Sequence, residues 1–172
     1  MKTLTARFFC SLIVLTTLLS CNPSEKKKKD DQPRRIEMLF LGHAQEHHNS
    51  RLYMPMLASA LTQSGINITY TEEVKDLNPE NLELYDGVII YANHESRFPE
   101  QEKALLDYVA EGHAFIPIHC ASFCFNESED YVDLVGGQFK THGTDTFTAK
   151  IIDKSHPIMQ NLEEFSTWDE TY

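Results

Sequence analysis

Histidine side chains follow three apolar segments of the sequence, at the points where those segments end. His43 follows the first segment, His94 follows the third together with Glu95, and His119 ends the fourth. Imidazole exchanges protons near neutral pH, and its neutral form is a common ligand of transition metals. These histidines therefore predict acid–base chemistry or a divalent metal site, with zinc as the candidate ion. No two of the histidines lie at i, i+4 on a predicted helix, as in familiar zinc motifs, and the sequence has no CxxC pair.

The segments that carry these histidines alternate between strand and helix patterns. Apolar or alternating runs predict strands at 36–41, 66–71, 87–92, 114–118 and 144–152. Helical spacing of apolar residues predicts helices near 55–61, 78–80, 99–109 and 127–135. This order favours an α/β fold with a doubly wound parallel sheet. Ligands of such folds bind beyond the carboxyl ends of the strands. We therefore expect five histidines on one rim, namely His43, His47, His48, His94 and His119, and His113 at the opposite edge.

Cys120 directly follows His119, where a nucleophile elbow would place its reactive residue. A thiol beside an imidazole can be activated as a nucleophile. The strained turn of an elbow favours flanking glycines, which are missing here, so plain packing is the alternative role. Cys124 lies four residues further on, and a disulfide between the two cysteines would close a small, strained ring.

The N-terminal segment has the pattern of an exported protein. Lys2 and Arg7 precede an apolar run at 8–19, which is too short to cross a bilayer but suits a signal peptide. The run ends in Leu-Leu-Ser before Cys21, which resembles the lipobox of bacterial lipoproteins. We expect residues 1–20 to be a lipoprotein signal peptide, Cys21 to carry lipid, residues 21–35 to form a charged tether, and 36–172 to form the α/β domain.

This organisation predicts a location and excludes one class of partner. Lipid on Cys21 would anchor the chain to a membrane of the cell envelope, at the outer membrane or the periplasmic face. Residues 36–172 carry 7 basic and 23 acidic side chains, a net charge of −16. Such a domain repels the phosphate backbone, so we expect no nucleic-acid partner.

Short motifs throughout the domain resemble those of one family, the ThuA-like (trehalose utilisation) family. Phe-Leu-Gly-His at 40–43 and Pro-Ile-His-Cys-Ala at 117–121 are two of them. A Gly-Gly-Gln-Phe run at 136–139 is followed by Thr-His at 141–142, and His-Pro-Ile stands at 156–158. The last motif is Trp-Asp-Glu-Thr-Tyr at 168–172. The resemblance covers the whole domain.

The resemblance implies a flavodoxin-like fold related to class I glutamine amidotransferases, and a role in the use of sugars, including keto-sugars. It places the site on His43, His119 and His142, near Asp169 and Glu170. Members of the family usually continue past the last motif. The domain is therefore expected to be C-terminally incomplete, and marginally stable because a sheet edge is left open.

Three hypotheses for the function follow. In the first, the chain is a sugar-modifying enzyme of the hydrolase or isomerase type, with one set of catalytic residues and one set that binds the substrate. Three of the histidines could instead be ligands of a metal ion. The catalytic set is His119, His142 and Glu170; the binding set is His43, His94, Glu95 and Asp169; the metal set is His43, His119 and His142. In the second, a non-catalytic protein binds sugar against aromatic side chains such as Tyr91, Phe98 and Phe123. In the third, the chain is a structural surface lipoprotein.

Overall fold

The structure, a computed structural model, describes residues 33–96 and 98–172, and its compact unit runs from Arg34 to Tyr172. The expected signal peptide and Cys21, the expected site of lipidation, lie outside the described residues. The unit begins two residues before the expected boundary, because Arg34 pairs with Asp86 and Arg35 reaches the next strand. The guanidinium Nη1 of Arg34 lies 3.0 Å from Asp86 Oδ2. Within the described ranges, no helix combines the length and the apolar character that a membrane crossing requires.

Four parallel strands form the main sheet. They are β1 (Ile36–Gly42), β2 (Ile66–Thr71), β3 (Gly87–Tyr91) and β4 (Ala114–Pro117), in the spatial order β2-β1-β3-β4. This order is typical of flavodoxin-like folds, in which the chain reverses its direction of winding between β1 and β3. The predicted α/β fold with a doubly wound parallel sheet is confirmed. Its ligand crevice is expected beyond the carboxyl ends of β1 and β3.

Four helices connect and cover the strands: α1 (Ser50–Thr62), α2 (Pro79–Leu82), α3 (Pro99–Ala110) and α4 (Glu129–Val135). Helix α1 begins five residues before the predicted start at Pro55. The side chain of Asn49 accepts a hydrogen bond from the Leu52 amide and caps the helix there, so Pro55 lies inside it. The early start brings Ser50 close to the end of β1.

Alternation along β1 divides the core between the two faces of the sheet. Leu39 and Leu41 point to one face, where they pack with Leu105 of α3. Phe40 points to the other face, against Leu57 of α1. The side chains of Leu39, Phe40 and Leu41 are almost fully buried, and each such burial stabilises the fold by roughly 1.5–3 kcal/mol. The carboxyl end of β1 is consequently rigid where the histidines begin.

A two-stranded antiparallel sheet follows the main sheet. Strand β5 (Gly143–Ala149) pairs with β6 (Phe165–Thr171), with Thr144 opposite Glu170. The sequence predicted a strand at 144–152, which the first half of that range confirms, but it gave no prediction for β6. Because side chains alternate along a strand, Glu170 shares a face of β6 with Tyr172, the next residue but one.

Candidate functional site

A cavity of about 260 Å³ opens at the carboxyl ends of β3 and β4. Its walls come from the loops after β1 and β3, the short 3₁₀ helix His119–Phe123, the segment before β5 and the end of β6. Its lining combines imidazole, carboxylate and aromatic groups: His48, Asn93, Glu95, His119, Cys120, Ser122, Phe123, Phe139, His142, Glu170 and Tyr172. The cavity thus lies on the rim that the fold predicted.

His119 occupies a strained position at the tip of β4. Its φ of 50° lies in the left-handed region, which residues other than glycine rarely adopt. The turn directs its ring into the cavity, edge-on to His48 with 4.7 Å between the ring centroids. A nucleophile elbow strains the residue that it presents. In this chain that residue is His119, while Cys120 is the residue after it, so the predicted elbow position of Cys120 is shifted by one.

Glu170 lies between two imidazoles. Its Oε2 is 3.8 Å from His119 Nε2, and its Oε1 is 3.5 Å from His142 Nε2. The Tyr172 hydroxyl donates a hydrogen bond of 2.6 Å to Glu170 Oε2, and this bond is the main reason why the pKa of Glu170 is lowered. The same hydroxyl lies 2.9 Å from His119 Nδ1. One tyrosine therefore connects the carboxylate to the histidine of β4.

Three further histidines line the inner side of the same rim. The imidazole of His43 is buried, and its ring centroid is 6.0 Å from that of His94 and 6.4 Å from that of His48. Burial is the main cause of a lowered pKa at His43, His48 and His94. Repulsion from neighbouring imidazoles adds to the effect at His43 and His48. All three are consequently neutral at pH 7.

The position of His43 follows from the close approach of the Ser50 side chain to the end of β1. Gly42 leaves no space for a side chain, since a Cβ there would lie 2.5 Å from Ser50 Oγ. The Ser50 hydroxyl accepts from the His43 amide at 2.8 Å and donates to the His43 carbonyl at 3.0 Å. The start of α1 therefore clamps the end of β1.

The two cysteines are buried thiols. Cys120 Sγ lies 3.9 Å from His43 Nε2, but burial raises the pKa of Cys120 to about 12. Burial also raises the pKa of Cys124 to about 12, and both thiols are free rather than joined in a disulfide. A thiol that stays protonated at neutral pH is a weak nucleophile. The structure supports the packing role of Cys120.

A metal site on His43, His119 and His142 stays a prediction. In the described part of the chain, no three His, Cys, Asp or Glu side chains are arranged as ligands of one ion. His119 and His142 both approach Glu170, whereas His43 approaches Cys120. Elemental analysis of the purified protein beside a His119→Ala variant would test the prediction, since bound zinc should fall in the variant.

The structure brings together most of the predicted site residues. His119, His142, Glu170 and Glu95 all line the cavity. His43 and His94 lie outside its lining, and Asp169 is exposed, with its carboxylate accepting from the Glu170 amide at 2.8 Å. Two of the suggested stacking residues, Tyr91 and Phe98, are also outside the lining; Phe98 packs on Phe125 instead.

Sequence reasoning missed Tyr172, Phe139 and Asn93 as lining residues. Phe139 stacks edge-on to both Phe123 and Tyr172, with 5.7 Å between centroids in each pair. Strand alternation places Tyr172 on the face of Glu170, but this signal required a prediction of β6, which the sequence analysis lacked. Phe139 lies in an irregular loop, where no periodicity indicates the direction of a side chain.

Comparison with known proteins agrees with the geometry. The trehalose utilisation family model, ThuA, matches residues 37–172. The chain belongs to the ThuA family. No curated protein matches it.

Two solved structures share the ThuA fold with this chain. A ThuA-like protein from Bacteroides uniformis has a TM-score of 0.69 and 19% identity, over 81% of this chain and 61% of that one. A ThuA-like protein from Parabacteroides merdae has a TM-score of 0.66 and 16% identity, over 80% of this chain and 62% of that one. The chain thus spans about three fifths of the length of the two structures. At these identities the likeness establishes the fold alone.

Proposed function

We propose that the cavity binds a sugar or keto-sugar and that its histidines and Glu170 act on the bound molecule by proton transfer. The proposal rests on the position of the Glu170 carboxylate between the imidazoles of His119 and His142, at 3.8 and 3.5 Å. Both separations exceed a hydrogen bond, so the carboxylate and the two imidazoles do not satisfy each other and can bond hydroxyl groups of a ligand that enters from the cavity. The name of the family, trehalose utilisation, favours a carbohydrate as that ligand.

His119 would act as the general base in this proposal. For a keto-sugar, its imidazole would take the proton from the carbon beside the carbonyl group, and His142 or Glu95 would hydrogen-bond the hydroxyls. Return of the proton to the neighbouring carbon, with a hydroxyl proton passing between the two oxygens, would isomerise the sugar. Where a glycosidic oxygen stands on the carbon next to the deprotonated one, its C–O bond would break as the C=C bond forms, and the His119 imidazolium would return the proton to the departing oxygen. A positioned acid or base of this kind typically contributes a factor of about 10²–10⁴ in rate.

Non-catalytic sugar binding is the second candidate function. Phe123, Phe139 and Tyr172 form a continuous aromatic wall of the cavity. Aromatic faces suit the apolar C–H face of a sugar ring, while the carboxylate and imidazoles would bind its hydroxyls. His119→Ala separates the two candidates: an enzyme loses turnover but keeps much of its binding, whereas a binder has no turnover to lose.

Calorimetric titration with trehalose and its keto derivative tests the ligand class. Glu170→Gln should weaken binding roughly ten- to hundredfold, since a hydrogen bond to a charged group is worth about 1.5–3 kcal/mol. Glu164→Gln, in the exposed segment before β6, is the matched control and should bind like the wild type. Equal affinity of the wild type and Glu170→Gln would remove Glu170 from the site.

We also propose that lipid on Cys21 anchors the domain at the cell envelope, where it would meet sugars outside the cytoplasm. The support is the apolar run at 8–19 and the residues before Cys21. The acidic domain argues against a nucleic-acid partner. Metabolic labelling with a clickable palmitate should mark the wild type and fail on Cys21→Ala; labelling of both would contradict the anchor.

A further inference from the structure

A single hydroxyl group joins the carboxylate and one imidazole of the cavity. The oxygen of Tyr172 lies 2.6 Å from Glu170 Oε2 and 2.9 Å from His119 Nδ1. A phenol hydroxyl carries one hydrogen and can donate in only one of these contacts. In the other contact its oxygen must accept.

Glu170 decides the direction of both hydrogen bonds. A glutamate, with an ordinary pKa of about 4.3, is ionised at neutral pH and has only lone pairs to offer. Tyr172 must therefore donate to Glu170 and accept from His119 Nδ1. The hydrogen of a neutral His119 is consequently on Nδ1, and its Nε2 carries a lone pair.

A neutral His142 also has its hydrogen on Nδ1, because of a different hydrogen-bond partner. Its Nδ1 lies 3.0 Å from the carbonyl oxygen of Gly143, which can only accept, so Nδ1 carries the hydrogen. The Nε2 of a neutral His142 is then also unprotonated. When both rings are neutral, two lone-pair nitrogens approach the two oxygens of Glu170 at 3.5 and 3.8 Å, and neither contact contains a hydrogen.

We propose that Tyr172 is a positioning residue that locks His119 in the Nδ1–H tautomer, and that the resulting acceptor cluster takes a ligand by its hydroxyl hydrogens. The acceptor cluster consists of His119 Nε2, His142 Nε2 and the Glu170 carboxylate. Neighbouring hydroxyls of a sugar ring supply the hydrogens that these acceptors lack. The ligand in this inference rests on the proposed function, whereas the tautomer does not.

Nitrogen-15 NMR of the histidine rings, recorded at about pH 8 so that ordinary imidazoles are neutral, measures the tautomers directly. The His119 signals are assigned from their loss in His119→Asn. The wild type should have His119 almost entirely as Nδ1–H, and Tyr172→Phe should populate the Nε2–H form, because the partner of one ring nitrogen sets the state of the other. His142 should stay Nδ1–H in both proteins as an internal reference.

A matched variant separates the effect of losing the Tyr172 hydroxyl from the general effect of a tyrosine-to-phenylalanine substitution on the fold. Tyr85→Phe, just before β3 at the amino edge of the sheet, should leave the His119 signals unchanged. An Nε2–H form of His119 in the wild type would overturn the inference. An unchanged His119 tautomer in Tyr172→Phe would equally overturn the role of Tyr172.

Titration of the labelled protein with trehalose tests the ligand. Hydroxyl donation should shift the Nε2 signals of His119 and His142 while both Nδ1 atoms keep their hydrogens. Unshifted Nε2 signals with the expected tautomers would refute the sugar of the proposed function and leave the tautomer lock supported. If one equivalent of zinc chloride shifts the Nε2 signals of both histidines to completion and trehalose shifts neither, the ligand is a cation. That result would overturn the inference of a hydroxyl ligand.

Discussion

The buried histidines predict that the protein loses stability in mildly acidic solution. Burial lowers the pKa of His43, His48 and His94 in the folded chain, so the unfolded chain binds more protons as the pH falls below its ordinary value of about 6.5. Stability is therefore complete above that pH and is lost as the pH falls towards the folded pKa values. The side chain of His43 is only 5% exposed, and this makes it the histidine to substitute.

The size of this loss follows from proton linkage. Between its unfolded and folded pKa values, each histidine lowers the free energy of unfolding by up to about 1.4 kcal/mol per pH unit. Three histidines together set an upper limit of about 4 kcal/mol per pH unit. The carboxyls with lowered pKa values, such as Glu170 and Asp86, act in the same direction only near their own ordinary pKa of about 4.

Urea denaturation at pH 7.5, 6.5 and 5.5, followed by circular dichroism, measures the effect. His43→Asn removes one titrating ring and should reduce the slope by up to about 1.4 kcal/mol per pH unit, while Gln45→Asn, on the same exposed loop, removes no titrating group and should keep the wild-type slope. A free energy of unfolding that is constant over this range would refute the reasoning. If the free energy of unfolding changes equally with pH in the wild type and in His43→Asn, then His43 does not contribute to the loss of stability.

Three further predictions concern close packing, thiol reactivity and backbone strain. Gly87→Ala should cost about 1–3 kcal/mol in thermal denaturation, because a Cβ would lie 2.7 Å from the Cβ of Ala114. Gly137→Ala, where nothing lies within 4 Å, should be neutral or slightly stabilising. Cys120 should resist iodoacetamide at pH 8 in the folded protein and react on unfolding, as its pKa of about 12 requires; rapid labelling of the folded protein would contradict this. His119→Val should be less stable than His119→Asn by roughly 1–2 kcal/mol, since asparagine tolerates the left-handed backbone better than a β-branched residue; equal stability would argue against strain there.

The main sheet could be predicted from the sequence because its signal is local. Buried parallel strands are short apolar runs, and the residues after them must lie at one edge. This reasoning located His119 without any knowledge of its partners. The early start of α1 escaped because the capping role of Asn49 is weaker in the sequence than the proline at position 55.

The rest of the site depends on contacts that the sequence does not encode locally. The approach of β6 to β4, which brings Glu170 and Tyr172 to His119, joins residues about fifty positions apart. The position of His43 depends on a nearer contact, since the hydroxyl of Ser50, seven residues further on, bonds both the amide and the carbonyl of His43. The family resemblance supplied Glu170 and His142, which periodicity alone would have left as surface residues.

Amide chemical-shift mapping with trehalose tests the central claim most directly, namely that the cavity around Glu170 is the ligand site. The account predicts saturable shifts at the amides of His119, His142, Glu170 and Tyr172, with no shift at His113 on the opposite edge of the sheet. Shifts confined to residues outside the cavity lining, or none for trehalose and its keto derivative at saturating concentration, would contradict it.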